Sequence, residues 1–305
     1  MKMNLFRAMG TNVEFIIDDT KFQPISSLND VILSAKSRME ALESRLTRFR
    51  NDSELSHINQ QTGKWIAVTK DTFTILRLAN EQFDLTNGVF NPFMGYVIQN
   101  LGYRVTFKDI HNQTQELFRI QYPYLPPMHS PLQLNEMTQE VRLDNGYMLD
   151  LGGIAKGWIV EQTADHLLNN GVSDFICNAG GDLVCKGTNN GQPWVVGITD
   201  PFNEDKHIFN LNVSNMCVAT SGTYSRTWSK QGRKVHHIID PFLGEPADTD
   251  IISCTVISPS LIEAEILAKA ALILGTSAAQ QLFDMNKQCD WIIVKISGEV
   301  EHSCN

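Results

Sequence analysis

Glu265 and Lys269 stand four residues apart in LIEAEILAKAALILG, the stretch from Leu261 to Gly275. On a helix this spacing sets the carboxylate and the ammonium side by side. The stretch is otherwise apolar nearly all round, so no polar stripe accounts for the pair. On a solvated face such a pair is worth only about 0.3–0.5 kcal/mol, and that ordinary reading stands until the rest of the chain is considered. Four other stretches hold groups that could handle anions or protons. LDLGGIAKGW, Leu149 to Trp158, sets an acid and two glycines before a helix with Lys156 in its first turn. Glycines there let backbone amides approach an anion, and the helix dipole favours negative charge. The spacing fits neither the Walker loop nor the dinucleotide fingerprint, and a tight turn with a solvated lysine explains it equally well.

NAGGDLV, Asn178 to Val184, joins two apolar runs; its glycines suit a close approach of backbone to a ligand or a plain hairpin turn. ATSGTYSR, Ala219 to Arg226, offers the hydroxyls of Thr220, Ser221 and Thr223 and the fork of Arg226, a set suited to phosphate oxygens or to a capped turn. In VHHIIDP, Val235 to Pro241, strand alternation would put His237 and Ile239 on one face and His236 and Ile238 on the other. A histidine near an aspartate can act as a general base, although a histidine at a strand end also serves structure alone.

These stretches need elements to hold them. Leu5 to Ile17 reads as a strand, or two strands broken at Met9-Gly10-Thr11. An amphipathic helix is predicted over Ser26 to Arg50, opened by Ser26 or Ser27, and a second over Asp71 to Leu85. From 102 to 139 the chain turns polar and proline-bearing, an irregular excursion of the surface. EVRLDNGYMLDLG then reads as a short strand pair, followed by a helix from Ala155 to about Leu168. Strands are predicted at Phe175 to Asn178, Leu183 to Lys186, Trp194 to Ile198, Ile208 to Val213, Met216 to Ala219 and Trp291 to Ile296, with a helix near Ala278 to Phe283. Short turns between strands imply antiparallel neighbours, an α+β pattern rather than a doubly wound one.

The 305 residues, 42% hydrophobic and 19% charged, describe a globular chain that is neither disordered nor a coiled coil. A net charge of −9 argues against non-specific nucleic-acid binding. There is no run long and apolar enough for a membrane span, and the N-terminal residues contain no signal-peptide core. The six cysteines, Cys177, Cys185, Cys217, Cys254, Cys289 and Cys304, have neither zinc-site nor disulfide-framework spacing. They read as buried thiols of a reducing compartment, with a cytoplasmic location expected.

Taken in order, AMGTNVEF, LTRFRNDSELSHIN, TNGVFNPFMG, LDLGGIAKGW, NAGGDLVCKG, WVVGITDP, VATSGTYSR, HHIIDPFLGEP and EAEILAKAALILG resemble the FAD:protein FMN transferase, or ApbE, family. The likeness runs nearly end to end, and only residues 103–140 match poorly. It implies one ApbE-like domain over residues 1–305, with mixed, largely antiparallel sheets, flanking helices and an FAD cleft between two halves. It implies a magnesium-dependent transfer of FMN from FAD to a threonine or serine hydroxyl of an acceptor flavoprotein, with release of AMP. The acceptor hydroxyl would follow D-G-x-x or N-G-x-x. By this resemblance His237 is the base for the acceptor hydroxyl, and Ser221, Gly222 and Thr223 form a loop near the phosphates. Asp150, Gly153 and Lys156 belong to the glycine-rich segment beside the nucleotide. Met9, Gly10 and Thr11 line the same cleft, and Asn178, Gly181, Asp182 and Asp240 complete the cofactor set.

The resemblance also places a metal at Glu265 and Lys269, where most relatives have aspartate and threonine, together with the backbone carbonyl of Ala155. Glutamate moves the carboxylate outward by about one carbon–carbon bond, and magnesium demands near-octahedral oxygen ligands. Lysine offers three donors and no acceptor, so it cannot ligate a cation and is expected to replace it. Asn91 stands where the family has aspartate, an exchange that keeps the turn-forming capacity. Two other readings remain alongside transfer: an FAD-binding carrier or sensor without catalysis, and an FAD pyrophosphate hydrolase.

Overall fold

The computed structural model describes residues 1–22, 27–112, 126–230 and 232–304. In chain order the elements are β1 (Lys2–Ala8), β2 (Thr11–Ile17), α1 (Leu28–Leu46), α2 (Glu54–Gln60), β3 (Ile66–Ala67), α3 (Lys70–Leu85), α4 (Gly95–Asn100), β4 (Leu132–Asn135) and β5 (Glu140–Leu143). They continue with α5 (Ala155–Asn169), β6 (Phe175–Ala179), β7 (Asp182–Lys186), β8 (Trp194–Asp200), β9 (Asn203–Val213), β10 (Cys217–Gly222), β11 (Thr227–Lys230) and β12 (Arg233–His236). Last come β13 (Ile239–Asp240), β14 (Glu245–Pro246), β15 (Ile251–Ser258), α6 (Leu261–Leu274), α7 (Thr276–Met285), β16 (Asp290–Lys295) and β17 (Val300–His302). Every ladder between named strands is antiparallel, so the α+β class expected from the sequence is the class observed.

The chain forms two compact units. The first comprises 1–41, 156–224 and 249–305, and the second 42–155 and 225–248. The first unit is built on an eight-stranded sheet in the order β1-β2-β6-β7-β10-β15-β16-β17. The edge strand β1 buries only Ala8, β2 beside it alternates from Val13 to Ile17, and β15 is buried almost throughout. In β15 the small polar residues Ser253, Thr255 and Ser258 are buried along with the apolar ones. The hairpin β8–β9 packs Trp194, Val196 and Ile198 against Leu183, Cys185 and Val218. Helix α6 buries ten of its fourteen residues and packs on β10 and β15. Its apolar circumference is thereby explained.

The second unit holds α2, α3, α4 and three small sheets, β3-β5-β4, β11-β12 and β13-β14. One of its cores gathers Met94, Val97, Leu101, Ile110, Trp228, Val235 and Ile239. Ser27 opens α1, accepting the Asp30 amide at 3.2 Å; Ser26 lies outside the described residues. The helix stops at Leu46 rather than Arg50, and Ser53 caps a separate helix, α2, by accepting the Ser56 amide at 3.0 Å. Four further sequence expectations need correction. The excursion contains β4, although residues 113–125 lie outside the described residues. Within EVRLDNGYMLDLG only β5 is a strand, and it pairs with β3 and β4 because that register joins buried Leu143 to buried Leu132. VHHIIDP is not one strand: β12 ends at His236, which pairs with Thr227 of β11, and β13 begins at Ile239, which pairs with Pro246 of β14, so two separate ladders take its two halves. Thr220, Ser221 and Gly222 lie within β10 rather than in a turn.

Two tight turns lie next to each other at one end of the large sheet. Met9 and Gly10 join β1 to β2 with φ of 52° and 71°, and Gly180 and Gly181 join β6 to β7 with φ of 63° and 95°. Ala8 faces Thr11 and Ala179 faces Asp182, so both are two-residue hairpins, whose twist favours positive φ at both positions. The Gly180 amide donates to Asn12 O at 3.0 Å, and a Cβ on Gly180 would stand 2.2 Å from Thr11 Oγ1. Only glycine meets both demands. Gly180→Ala should therefore lower unfolding stability by about 1–3 kcal/mol, measured by urea denaturation, whereas Gly181→Ala, whose Cβ meets nothing within 4 Å, should lose only the smaller conformational part.

Candidate active site

The end of the sheet that carries the two turns also gathers charge. Asp182, the first residue of β7, is 3% exposed and is paired with the Lys156 ammonium from the first turn of α5. Its Oδ1 accepts the Thr220 amide from β10 at 3.3 Å. Thr220 and Thr255 share a hydroxyl hydrogen bond of 2.9 Å across β10 and β15. Ser221 is buried. A Cβ on Gly222 would meet the Tyr224 ring at 2.4 Å, so this glycine admits the ring. Thr223 follows the strand end and donates its amide to Ile252 O at 3.1 Å. Asn178 Oδ1 accepts the Gly181 amide at 3.0 Å, which closes that turn.

Behind this layer lies Glu265, 1% exposed. Its Oε1 accepts Lys269 Nζ at 2.9 Å, and Lys156 Nζ stands 3.9 Å from the same oxygen. Its Oε2 accepts the Gly157 amide at 2.9 Å. Burial would raise the Glu265 carboxyl, but Lys269 and Lys156, with the bonds from Lys269 and Gly157, outweigh it and hold the group below its ordinary range. A Cβ at Gly157 would fall 2.7 Å from Glu265 Oε2 and 3.3 Å from Leu261 O. This close crossing of α5 and α6 is fixed by Glu161 of α5, which accepts from Ser260 Oγ at 3.0 Å and from the Ile262 amide at 3.3 Å at the start of α6. Burial raises the Glu161 carboxyl, and those bonds pull the other way.

The sequence pair at 265 and 269 is thus an ion pair, and its glutamate lies in the interior rather than on a solvated face. These residues do not fit a magnesium ion. Both oxygens of the carboxylate are engaged by donors, one of them by an ammonium that has nothing to offer a metal. Among the described residues, no group of three or more histidine, cysteine, aspartate or glutamate side chains is placed to hold one.

The second unit carries Asp150, Gly153, Ala155, His237 and Asp240. Asp150 is paired with Arg48 Nε and accepts the Gly152 amide at 2.7 Å; Gly153 and Ala155 follow where the chain turns into α5. The Arg48 side chain is 3% exposed, and its guanidinium lies 4.3 Å from the Phe49 ring centre and 5.0 Å from that of Tyr103. Those faces favour a cation, which matters because Arg48 Nη1 and Nη2 are buried with no hydrogen-bond partner among the described residues. Burial raises the Tyr103 hydroxyl, against the pull of Arg226 and Arg48. His237 follows β12 and is half-buried. Its neighbour His236 meets Ala247 O at 3.1 Å, and burial pushes its imidazole below the ordinary value. Asp240 Oδ1 accepts the amides of Phe242 and Leu243 at 2.8 and 3.2 Å, a turn-closing role. Asn91 Oδ1 accepts the Phe93 amide at 2.9 Å. The amide side chain therefore holds that turn, the function expected of it from sequence.

Within the first unit the fold brings Lys156, Asp182, Ser221, Gly222, Thr223, Glu265 and Lys269 to the same sheet end as Met9, Gly10, Thr11, Asn178 and Gly181. Sequence reasoning missed Arg48, although the basic residues of LTRFRND marked the place. It also missed Glu161, which no local pattern distinguishes from a solvated helix residue.

A family model described as the ApbE family matches residues 9–293. Among curated proteins, an FAD:protein FMN transferase of Vibrio cholerae is 27% identical over 260 residues, covering 84% of this chain and 77% of that one. Another of that name from Klebsiella pneumoniae is 28% identical over 278 residues, covering 87% and 85%. A crystal structure of an ApbE protein from Thermotoga maritima superposes with a TM-score of 0.83 at 24% identity, covering 99% of this chain and 96% of that chain. The flavin transferase ApbE of Vibrio cholerae gives 0.78 at 22% identity, covering 99% and 96%. At such identities the structures establish the fold.

Removing one ammonium should leave a buried charge under-compensated. Lys269→Met is expected to cost about 2–4 kcal/mol in urea unfolding, and Glu265→Gln/Lys269→Met to recover most of it. The lowered Glu265 carboxyl contributes stability that is fully present above its ordinary value of 4.5 and is lost as pH falls through its folded value. The stability gap between the native chain and Glu265→Gln should accordingly narrow in acid.

Proposed function

The chain belongs to the ApbE family, and from that premise we propose that it is an FAD:protein FMN transferase: it moves FMN from FAD to a hydroxyl of an acceptor flavoprotein and releases AMP. The observation that carries this reading is the family match over 9–293, joined by relatives of that activity along most of the chain. In the reaction the acceptor oxygen forms a bond to the FMN phosphorus. The bond from that phosphorus to the bridging oxygen breaks, AMP takes the bridging oxygen with its electron pair, and the hydroxyl proton passes to a base. Catalysis of this kind rests on positioning and on neutralising charge.

We assign the base to His237, a half-buried imidazole of a type whose proton affinity suits neutral pH. Ser221, Gly222 and Thr223, at the end of β10, are assigned to the phosphates. Lys156 supplies positive charge to the same anion from the first turn of α5. Met9, Gly10, Thr11, Asn178, Gly181 and Asp182 are assigned to nucleotide contact; the two adjacent positive-φ turns support this by exposing backbone at one sheet end. Asp150 and Gly153 are assigned to the same ligand, and Asp240 shapes the turn that follows His237. No step is given to magnesium, because the residues at its family position do not fit it. The acceptor residue is taken to be threonine or serine. A reducing, cytoplasmic setting suits the six thiols, five of them buried; no helix of the described residues is long and apolar enough to cross a membrane.

With FAD and an acceptor flavoprotein domain, intact-mass spectrometry should show the addition of one FMN, matched by one AMP. His237→Ala should slow labelling by about 10²–10⁴-fold while leaving FAD binding in place. Labelling of that variant at the native rate would remove His237 from the base role. FAD bound without any labelling, on an acceptor that another transferase modifies, would make this protein a flavin binder instead.

A further inference from the structure

The charges at the sheet end are layered. Asp182 and Glu265 are the buried pair, with side chains 4% and 1% exposed, while the ammonium-bearing side chains of Lys156 and Lys269 are 17% and 18% exposed. Carboxylates form the floor and ammoniums the side nearer solvent. An anion arriving from solvent therefore meets the two lysines first. The floor fixes them in place: Lys156 is paired with Asp182 and stands 3.9 Å from Glu265, and Lys269 is held by Glu265 at 2.9 Å. Gly157 supplies the remaining donor to Glu265 and permits no side chain in the gap. Two cations that share the Glu265 oxygen, one of them tied through Asp182 to the Thr220 amide of β10, make a preorganised place for a diphosphate.

We infer that Lys269, anchored by Glu265, is a built-in cation that takes the place of a divalent metal, so that this protein binds the diphosphate of FAD without magnesium. The inference rests on the proposed function for the identity of the ligand. Its physical basis is a conflict of charge: a divalent ion at Glu265 would need an oxygen that Lys269 already occupies, and would lie beside an ammonium that repels it. Lysine serves as a compact point charge for phosphate, and a glutamate one methylene longer than aspartate presents its carboxylate to that ammonium on the next turn of the same helix.

FAD affinity should be measured by flavin fluorescence titration of the native chain, once in EDTA and once in magnesium chloride, with calorimetry of magnesium chloride alone against the protein. The expected result is an FAD Kd that agrees within about twofold between the two conditions and no binding heat for magnesium alone. Lys269→Thr should weaken FAD in EDTA by about 10- to 100-fold, the loss of one charge-assisted contact, whereas Lys269→Arg should retain most of the affinity. Glu265→Asp/Lys269→Thr, whose folding is checked by circular dichroism, should regain affinity only when magnesium is added. A native chain whose FAD affinity rises tenfold or more with magnesium overturns the inference. Magnesium heat from the native protein that disappears in Glu265→Gln overturns it as well. Absence of FAD binding in both conditions would overturn the transferase reading and this inference with it, an outcome distinct from magnesium-dependent binding.

Discussion

A carboxylate at 1% exposure is the constraint around which the first unit is organised. Taking Glu265 out of water costs several kcal/mol unless its charge is met by good geometry. The fold answers with Lys269 from the next turn of α6, Lys156 from α5 and the Gly157 amide. Each of those partners then becomes constrained. Lys156 must begin α5 close to Asp182, Gly157 must lack a side chain, and α5 must cross α6 closely enough for Glu161 to cap it. The ion pair, the glycine and the cap make up one helix–helix junction, and the β7 and β10 strand ends are tied to it through Asp182.

The large sheet supplies the other half of the arrangement. Its strands bring two hairpin turns, a buried aspartate and a strand ending in Ser221 and Gly222 to the same end. Antiparallel pairing from β2 through β15 makes the juxtaposition a matter of register, and the Thr11–Gly180 contact leaves no room for a slip. In the second unit a comparable logic operates around Arg48, whose guanidinium is neutralised on one edge by Asp150 and covered by two aromatic faces. The second cluster buries its cation, Arg48, beside a carboxylate, whereas the first buries its carboxylates and leaves the lysine side chains partly exposed. That difference makes the Lys156 and Lys269 pair the candidate for binding an anion.

Much of the architecture was legible along the chain. The strands from Phe175 to Val213 and the helices at 70–85, 155–169 and 261–274 announced themselves through period and glycine punctuation, and their ends moved by only a few residues. The misreadings have a common cause. VHHIIDP, ATSGTYSR and EVRLDNGYMLDLG touch strands of only two to six residues, and over so few residues local pattern does not separate a strand from a turn; long-range pairing decides. Ile239 is buried among Met94, Val97 and Leu101, distant in sequence, and β5 takes its partner from a stretch whose prolines made it look irregular.

By itself the sequence determined the α+β class, the family and the two charged residues at 265 and 269 that depart from the family pattern. These are properties of residue type, order and spacing, and spacing alone makes an i, i+4 pair. Whether that pair lay in water or in the interior was decided by tertiary structure, because burial depends on what packs against the helix from elsewhere. The same holds for its second cation, Lys156, which lies more than a hundred residues away along the chain. A pair worth a few tenths of a kcal/mol on a surface becomes a structural requirement inside, since removing either partner then leaves a charge without solvent to receive it.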